Sequence, residues 1–329
     1  MPLRYAGIDL AWGERARTGV AVLTEDGQLS RSGSVRTDDE ISALLSDVAP
    51  GPGLVVAIDA PLIVPNDTGQ RPCERLVGQA FGRHHAGAYP ANRGMAAFNP
   101  EPRGARLARR FGWKMDPSVR PAPALSVAIE VYPHPAMVSL FELERVLPYK
   151  SRRGRTVPSR QAAFTDLIAH LERVCGWLLR LDESPRWREL VFDVDSATRP
   201  FQLDRVEDEI DAILCAYLAW LWANRPGLLM VHGDADAGYI VTPPPPTVVA
   251  AGYSDAAATK SATASAETST VVTREAPFMT SASTIVDSPE AVDVARPARL
   301  TALGSSARTT TPVMPGPTAA PNCSATSSR

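Results

Sequence analysis

The sequence predicts an α/β fold, in which a mixed five-stranded sheet is flanked by helices. Strand-like and helix-like segments alternate over residues 1–243, and the first three strand-like segments follow one another directly. Two later apolar runs are typical of strands that are buried on both faces: residues 54–60, between Gly-Pro-Gly and Pro61, and residues 126–132, which end before Pro133. These features predict a three-stranded antiparallel part joined to two parallel strands.

The antiparallel part is predicted from the beginning of the chain. Residues 5–11 form a short apolar strand, and residues 19–23 and 29–35 flank Glu25-Asp26-Gly27-Gln28, a sequence that favours a hairpin turn. Three successive strands with such short connections are expected to pair as antiparallel neighbours.

Helices are predicted after the antiparallel strands and after the later ones. The first begins at Thr37 or Asp38, which are good N-terminal caps. Longer helical patterns cover about 135–147, 159–180 and 204–224. Residues 238–242 are predicted to add a last short strand.

Composition separates a folded domain from a tail. Residues 1–243 are predicted to form one domain, with an insertion at about 61–125 that is rich in Gly, Pro and Arg. Residues 247–329 are mostly Ala, Ser, Thr, Pro and Val, with six acidic and six basic side chains and only two aromatic ones. Such a segment buries too little apolar surface to fold alone, so it is predicted to be disordered. A reading-frame artefact is the alternative explanation.

The total charge of the chain does not indicate a particular kind of partner, but the distribution of basic side chains along the chain does. Lys and Arg total 34 against 36 Asp and Glu. Residues 83–120 nevertheless carry eight basic side chains against two acidic ones, and residues 150–155 read KSRRGR. The first residues contain no apolar run of the length expected for a signal peptide, and the longest apolar run, 212–223, is too short to span a bilayer. The sequence therefore predicts a cytoplasmic protein without membrane association, with nucleic acid as the expected partner.

Three of the apolar strands carry one acid each: Asp9 in GIDLA, Asp59 in AIDAPL and Glu130 in AIEVYP. A single acid in a strand is commonly an edge residue, a cap or half of a structural ion pair. Three acids at matching places in neighbouring strands are less easily explained in this way. Parallel strands end on the same side of a sheet, where open α/β folds place their sites.

The last long helix adds two more carboxylates. Asp208 and Asp211 are three residues apart and therefore project as neighbours. Glu207 and Glu209 are explained by the favourable interaction of acids with a helix N-terminus. Asp211 lies beside the apolar face and precedes Ala212, a small residue that allows close approach to a sheet. We therefore expect Asp208 and Asp211 to meet the strand carboxylates.

Carboxylates that share one pocket repel each other unless they share a cation. Oxygen ligands without His or Cys favour Mg²⁺ or Mn²⁺ over zinc. Two such ions about 3.5–4 Å apart promote the attack of water on a phosphodiester. The sequence thus predicts a metal-dependent nuclease, in which the basic segments contact phosphates outside the pocket.

Five motifs resemble, in order and spacing, the family of unknown function catalogued as DUF429, whose members are described as predicted nucleases with a ribonuclease H-like fold. They are GIDLAWG, AIDAPL, RPCE, IEVYPHP and DEIDAILCAYLAW, and the resemblance covers about residues 4–242. It implies that Asp9, Asp59 and Asp211 with Asp208 hold the metal. Glu130 is supported as a catalytic residue only by the motif IEVYP of the family itself.

Several further side chains have two interpretations. Arg71, Glu74 and Arg75 follow the fourth strand and either orient the substrate or form a surface pair. Trp12 is either a stacking platform or part of the core, and the core is favoured.

Two other classes of function remain open. A sugar-kinase-like phosphotransferase also begins with an Asp-bearing strand and a hairpin, but it requires Gly where this chain has Ala11, and a second copy of the domain. The other alternative is a non-catalytic nucleic-acid-binding or scaffold protein. Motifs for P-loop, serine hydrolase and zincin chemistry are absent from the sequence.

Overall fold

The computed structural model describes residues 2–13, 16–48 and 51–246, so the predicted tail at 247–329 lies outside the described residues. The strands in this part are β1 (Arg4–Asp9), β2 (Thr18–Leu23), β3 (Leu29–Val35), β4 (Leu54–Ile58), β5 (Val127–Glu130), β6 (Met230–Asp234) and β7 (Gly238–Thr242). The helices are α1 (Asp38–Val48), α2 (Pro72–Phe81), α3 (Arg103–Phe111), α4 (Pro133–Leu140), α5 (Val157–Val174), α6 (Gly176–Leu179), α7 (Pro185–Ser196) and α8 (Pro200–Asn224). Within these ranges, no helix is both long and apolar enough to cross a membrane.

The main sheet has five strands in the order β3-β2-β1-β4-β5. Strands β1, β2 and β3 pair antiparallel, whereas β4 is parallel to β1 and β5 is parallel to β4. The predicted mixed sheet is therefore confirmed. Because β1, β4 and β5 run in the same direction, Asp9, Asp59 and Glu130 lie at the same end of the sheet.

Helix α8 crosses the sheet at unusually short distance. A Cβ added to Gly7 would lie 2.0 Å from the carbonyl oxygen of Ala212, and one added to Gly19 would lie 1.7 Å from that of Asp208. Only glycine leaves room for this contact, which confirms the predicted close approach near Ala212. The contact places the acids of α8 beside the end of β1, where Asp9 lies.

The two faces of the sheet pack against different cores, and side chains alternate between them. Tyr5, Val55 and Ile129 belong to the core on the α8 side. Ile8 and Ala128 belong to the core on the opposite side. By this alternation Asp9 and Asp59 point towards α8.

Glu130 differs, because it is paired in register with Ile58 and not with Asp59. Like Ala128, it points away from α8. The sequence interpretation placed the three strand acids at matching positions, and the register of Glu130 is shifted by one residue from that expectation.

Some elements differ from the sequence-based prediction. Helix α7 and strand β6 were not predicted, and the helix expected at 159–180 is broken at Cys175 into α5 and α6. The insertion contributes α2 and α3, and β6 pairs with β7 in a separate two-stranded sheet.

Candidate active site

Four carboxylates meet where β1, β4 and α8 converge, and we call them the acidic cluster: Asp9, Asp59, Asp208 and Asp211. Asp9 ends β1, Asp59 follows β4 directly, and the other two lie within α8. The backbone NH of Asp59 donates to the carbonyl of Ile8 at 2.8 Å, which ties the two strand ends together. Asp211 is completely buried. The structure thus brings together the four predicted metal-binding residues.

A lysine is the cation among these carboxylates. The Nζ atom of Lys150 lies 2.6 Å from Oδ2 of Asp211, and the hydroxyl of Tyr149 donates to Oδ1 of the same residue at 2.8 Å. Oδ2 receives no hydrogen bond of good geometry, although it is buried. The sequence placed Lys150 in a basic segment that was expected to contact phosphates outside the pocket, whereas its ammonium reaches the acidic cluster.

A buried arginine fixes the segment that carries Lys150. Arg160 donates through Nε to the carbonyl of Tyr149 at 2.7 Å. Its other nitrogens pair with Asp204 at 2.8 Å and with Glu207 at 3.0 Å, both on α8. Lys150 is therefore held against α8 by the structure around it and is not a freely moving surface lysine.

The acidic cluster is electrostatically strained. Burial raises the pKa of Asp9 well above its usual value, and the other carboxylates of the cluster raise it further, although Lys150 opposes them. Burial raises the pKa of Asp59 to about 7; Asp211 and Glu130 raise it further, and Lys150 opposes them. Burial raises the pKa of Asp208 to about 6, against a hydrogen bond from Ser34. One ammonium does not neutralise four carboxylates, so the cluster tends to take up protons or a further cation.

Glu130 belongs to a different network on the other face of the sheet. Both of its oxygens accept hydrogen bonds from Arg71, at 2.6 and 2.9 Å, and the backbone NH of Leu62 donates to it at 2.8 Å. Arg71 also pairs with Glu74 at 2.8 Å. All three charged side chains are buried. The structure therefore does not place the predicted catalytic Glu130 in the acidic cluster.

The predicted substrate-orienting residues have separate environments. Arg71 and Glu74 are buried, which differs from the surface pair considered as their alternative. Arg75 is exposed and donates to the backbone carbonyl of Gln70 at 2.9 Å.

A cleft of about 770 Å³ leads to the acidic cluster, and Asp9 and Asp59 are part of its lining. Trp12 and Tyr89 also line it and are 37% and 60% exposed, respectively. The interpretation of Trp12 as a core residue is therefore wrong. Its ring contacts buried Phe98 with a centroid distance of 5.0 Å.

Only one of the two basic segments supplies cationic side chains to this cleft. Lys150, Arg152 and Arg155 line it together with Arg145. Within residues 83–120, by contrast, several arginines form ion pairs with acids outside the cleft lining. These pairs are Arg103 with Asp38, Arg109 with Glu101, and Arg110 with Asp39.

His134 lies at the side of the cleft. Its Nδ1 atom is 3.2 Å from the hydroxyl of Tyr132. Burial, together with the positive charges of Lys150, Arg152 and Arg155, lowers the pKa of His134 to about 3. The imidazole is therefore neutral near pH 7 and can donate or accept a hydrogen bond there.

The donor chemistry of the acidic cluster suits Mg²⁺ or Mn²⁺, because it consists of carboxylate oxygens and includes a buried oxygen without a well-directed hydrogen bond. In the described part of the chain, no group of three or more His, Cys, Asp or Glu side chains is arranged to hold a metal ion. The positive charge at this position comes from Lys150. A divalent ion would have to compete with that ammonium or bind beside it.

The fold and this site define a class: an α/β protein with a cluster of carboxylates at the ends of two parallel strands, below a cleft lined with basic and aromatic side chains. The family model described as "Protein of unknown function (DUF429)" matches residues 7–237, and the chain belongs to this family. This confirms the predicted family. No curated protein and no solved structure matches the chain.

Proposed function

We propose that this protein is a metal-dependent nuclease that hydrolyses phosphodiester bonds. The observation that supports this function best is an imbalance of charge: four carboxylates lie around one ammonium at the inner end of a cleft lined by arginines. Buried groups with strongly perturbed pKa values in a cleft are frequent at catalytic sites. A phosphodiester group is negatively charged, and the arginines provide the attraction that the acids lack.

Asp9, Asp59 and Asp211 are the residues that would hold Mg²⁺ or Mn²⁺, with Asp208 as a further carboxylate nearby. Their side chains would have to move to do so, since no three of the described carboxylates are arranged for a metal ion in this structure. When bound, such an ion supplies charge stabilisation at phosphoryl oxygens and lowers the pKa of water. The family resemblance and the oxygen-only donor set support this choice of metal.

The other residues of the site bind and position. Arg152 and Arg155 attract phosphate at the cleft, while Lys150 neutralises part of the charge on Asp211. Arg71 and Glu130 act by positioning, because Glu130 fixes the backbone of Leu62, three residues after Asp59. This role replaces the direct catalytic role considered for Glu130.

A second candidate function is nucleic-acid binding without catalysis. The ion pair between Lys150 and Asp211 favours it, because an internal ammonium stabilises buried acids in the absence of metal. A sugar-kinase-like protein has less support, since residues 2–13, 16–48 and 51–246 contain a single five-stranded sheet.

Two measurements on the full chain test the proposed function. Isothermal titration with Mn²⁺ should show a specific site that is lost or weakened at least tenfold in Asp9→Asn. RNA and DNA oligonucleotides, single-stranded and duplex, should be cleaved with Mn²⁺ or Mg²⁺ and not with EDTA. Asp9→Asn and Asp211→Asn should abolish cleavage, whereas Asp166→Asn, at an exposed position of α5, should not. Cleavage that persists unchanged in Asp9→Asn would refute the assignment, and absence of Mn²⁺ binding would favour the non-catalytic alternative.

A further inference from the structure

Two aromatic side chains are exposed in the cleft. Trp12 is 37% exposed and Tyr89 is 60% exposed, although most aromatic residues of the described chain are buried. Both line the large cleft with Asp9 and Asp59, and both also line a smaller pocket that adjoins it at Asp59. Exposing large apolar area in this way costs free energy, which an aromatic ligand would recover on binding.

Each ring is held in place by a neighbour. The ring of Trp12 is tilted at 58° against that of Phe98, which is buried. The hydroxyl of Tyr89 accepts a hydrogen bond from Nη2 of Arg152 at 3.1 Å. Rings that are already positioned lose little conformational entropy when a ligand stacks on them.

The positive charge around these rings is not neutralised by acids. Arg145, Arg152 and Arg155 line the cleft, and none of them has an acidic partner within 4.0 Å among the described residues. Arg152 and Arg155 instead bond to the Tyr89 hydroxyl and the carbonyl of Lys150. These three guanidinium groups therefore lack ion-pair partners in the described part of the chain, and phosphate groups of a ligand would supply that negative charge.

We propose that the cleft takes single-stranded nucleic acid, whose bases stack on Trp12 and Tyr89 while its phosphates contact Arg145, Arg152 and Arg155. This inference rests on the proposed function, which makes a phosphodiester the group that reaches Asp9 and Asp59. Stacking platforms beside a basic groove are the usual means of binding single strands, whose bases have free faces.

The size of the cleft and the recessed position of the acids favour a single strand over a duplex. A volume of about 770 Å³ is typical of a cleft for a small ligand and is small beside the cross-section of a double helix. In a duplex, moreover, the base faces are already stacked on each other. A duplex would need to open or present an unpaired end before its bases reached the two rings.

Fluorescence anisotropy with labelled oligonucleotides tests this inference on the full chain. All titrations contain EDTA, so that binding is measured without cleavage. A 12-nucleotide single strand of DNA or RNA should bind at least tenfold more tightly than a blunt duplex of the same sequence. Trp12→Ala and Tyr89→Ala should each weaken single-strand binding about tenfold, while Trp12→Phe should retain most of the affinity.

The matched control is Trp177→Ala, which removes a 72% exposed tryptophan from α6, and it should leave the affinity unchanged. Circular dichroism and thermal unfolding establish that each variant is folded. If Trp12→Ala does not fold, Tyr89→Ala still tests the inference. Equal affinity for duplex and single strand, or affinity unaffected by both aromatic variants, would overturn the inference even if Mn²⁺-dependent cleavage occurs. Tight aromatic-dependent binding without cleavage at any metal concentration would support it and sink the proposed nuclease function.

Discussion

Lys150→Met is expected to destabilise the protein strongly, because among the residues that the structure describes it removes the only ammonium that reaches the acidic cluster. Methionine keeps much of the length and apolar character of the side chain and loses only the charge. In the native structure Nζ lies 2.6 Å from Oδ2 of Asp211, which is fully buried. The substitution leaves that carboxylate without its counter-ion.

The magnitude follows from the distance and the burial. At 2.6 Å the attraction is about 6 kcal/mol for an effective dielectric constant of about 20. The cost of desolvating the ammonium offsets part of it, and breaking a buried pair typically costs about 3–5 kcal/mol. Because the Lys150 side chain remains 29% exposed, we expect the lower end, a loss of about 3 kcal/mol in the free energy of unfolding at pH 8.

The loss should depend on pH. Lys150 lowers the pKa values of Asp9 and Asp59, which burial and the neighbouring acids raise. At pH 8 Asp59, whose pKa is raised to about 7, is ionised and attracts the ammonium, whereas at pH 5 it holds a proton in the folded state. The destabilisation by Lys150→Met should therefore be smaller at pH 5 than at pH 8.

Urea unfolding of the full chain at both pH values, followed by circular dichroism, measures this effect. Lys114→Met is the matched control, since Lys114 is exposed, and it should change the free energy of unfolding by less than about 0.5 kcal/mol. Addition of Mn²⁺ should restore more stability to Lys150→Met than it adds to the wild-type protein, because the ion meets no competing ammonium. If Lys150→Met unfolds at the same urea concentration as the wild type at pH 8, our account of the cluster is wrong.

Three further substitutions test other parts of the site by urea unfolding. Asp59→Asn should stabilise the metal-free protein at pH 8 by up to about 4 kcal/mol, because the pKa of Asp59 is raised to about 7 and its ionised form disfavours folding. This gain in the free energy of unfolding should vanish below about pH 4, where the carboxyl group is protonated in both states. A gain that does not depend on pH would contradict this explanation. Arg71→Met should cost about 3–5 kcal/mol by leaving Glu130 buried and unpaired, and adding Glu130→Gln should recover part of the loss; an additive double variant would show that the pair is not coupled. Gly7→Ala should cost about 3 kcal/mol or prevent folding, because its Cβ overlaps the backbone of α8, whereas Gly78→Ala, which meets no atom within 4 Å, should be tolerated.

The sheet could be predicted from sequence because its signals are local. Apolar strands with Gly or Pro at their ends, and a short turn before β3, were sufficient for strand directions and for the positions of Asp9 and Asp59. The register of β5 could not be predicted in this way, because it depends on residues that are far apart in the sequence. Whether Glu130 faces α8 depends on its pairing with Ile58, 72 residues earlier, and one residue of shift reverses the face.

The missing parts of the site are long-range contacts. Lys150 lies in a run of basic residues, and nothing in that run distinguishes it from Arg152. Its role arises because Arg160 fixes the preceding backbone against α8. The exposure of Trp12 likewise depends on where the insertion places Phe98. Small residues were more informative about close contacts between elements. Helix α8 can approach Gly7 as closely as it does only because Gly7 has no side chain.

The protein contains its own comparison for judging the acidic cluster. Where a buried acid is structural, a guanidinium matches it with two hydrogen bonds: Glu130 accepts from Arg71 at 2.6 and 2.9 Å, and Glu209 accepts from Arg186 at 2.6 and 3.0 Å. In the described part of the chain, no guanidinium pairs in this way with the acidic cluster, whose one ion pair joins Lys150 and Asp211 at 2.6 Å. Helix α8 carries both Glu209, which pairs with an arginine, and Asp208 and Asp211, which do not. The fold is therefore able to place an arginine beside an acid of this helix. An arrangement that costs stability and faces a basic cleft supports our proposal that a ligand completes the charge balance, namely a divalent cation together with a phosphodiester.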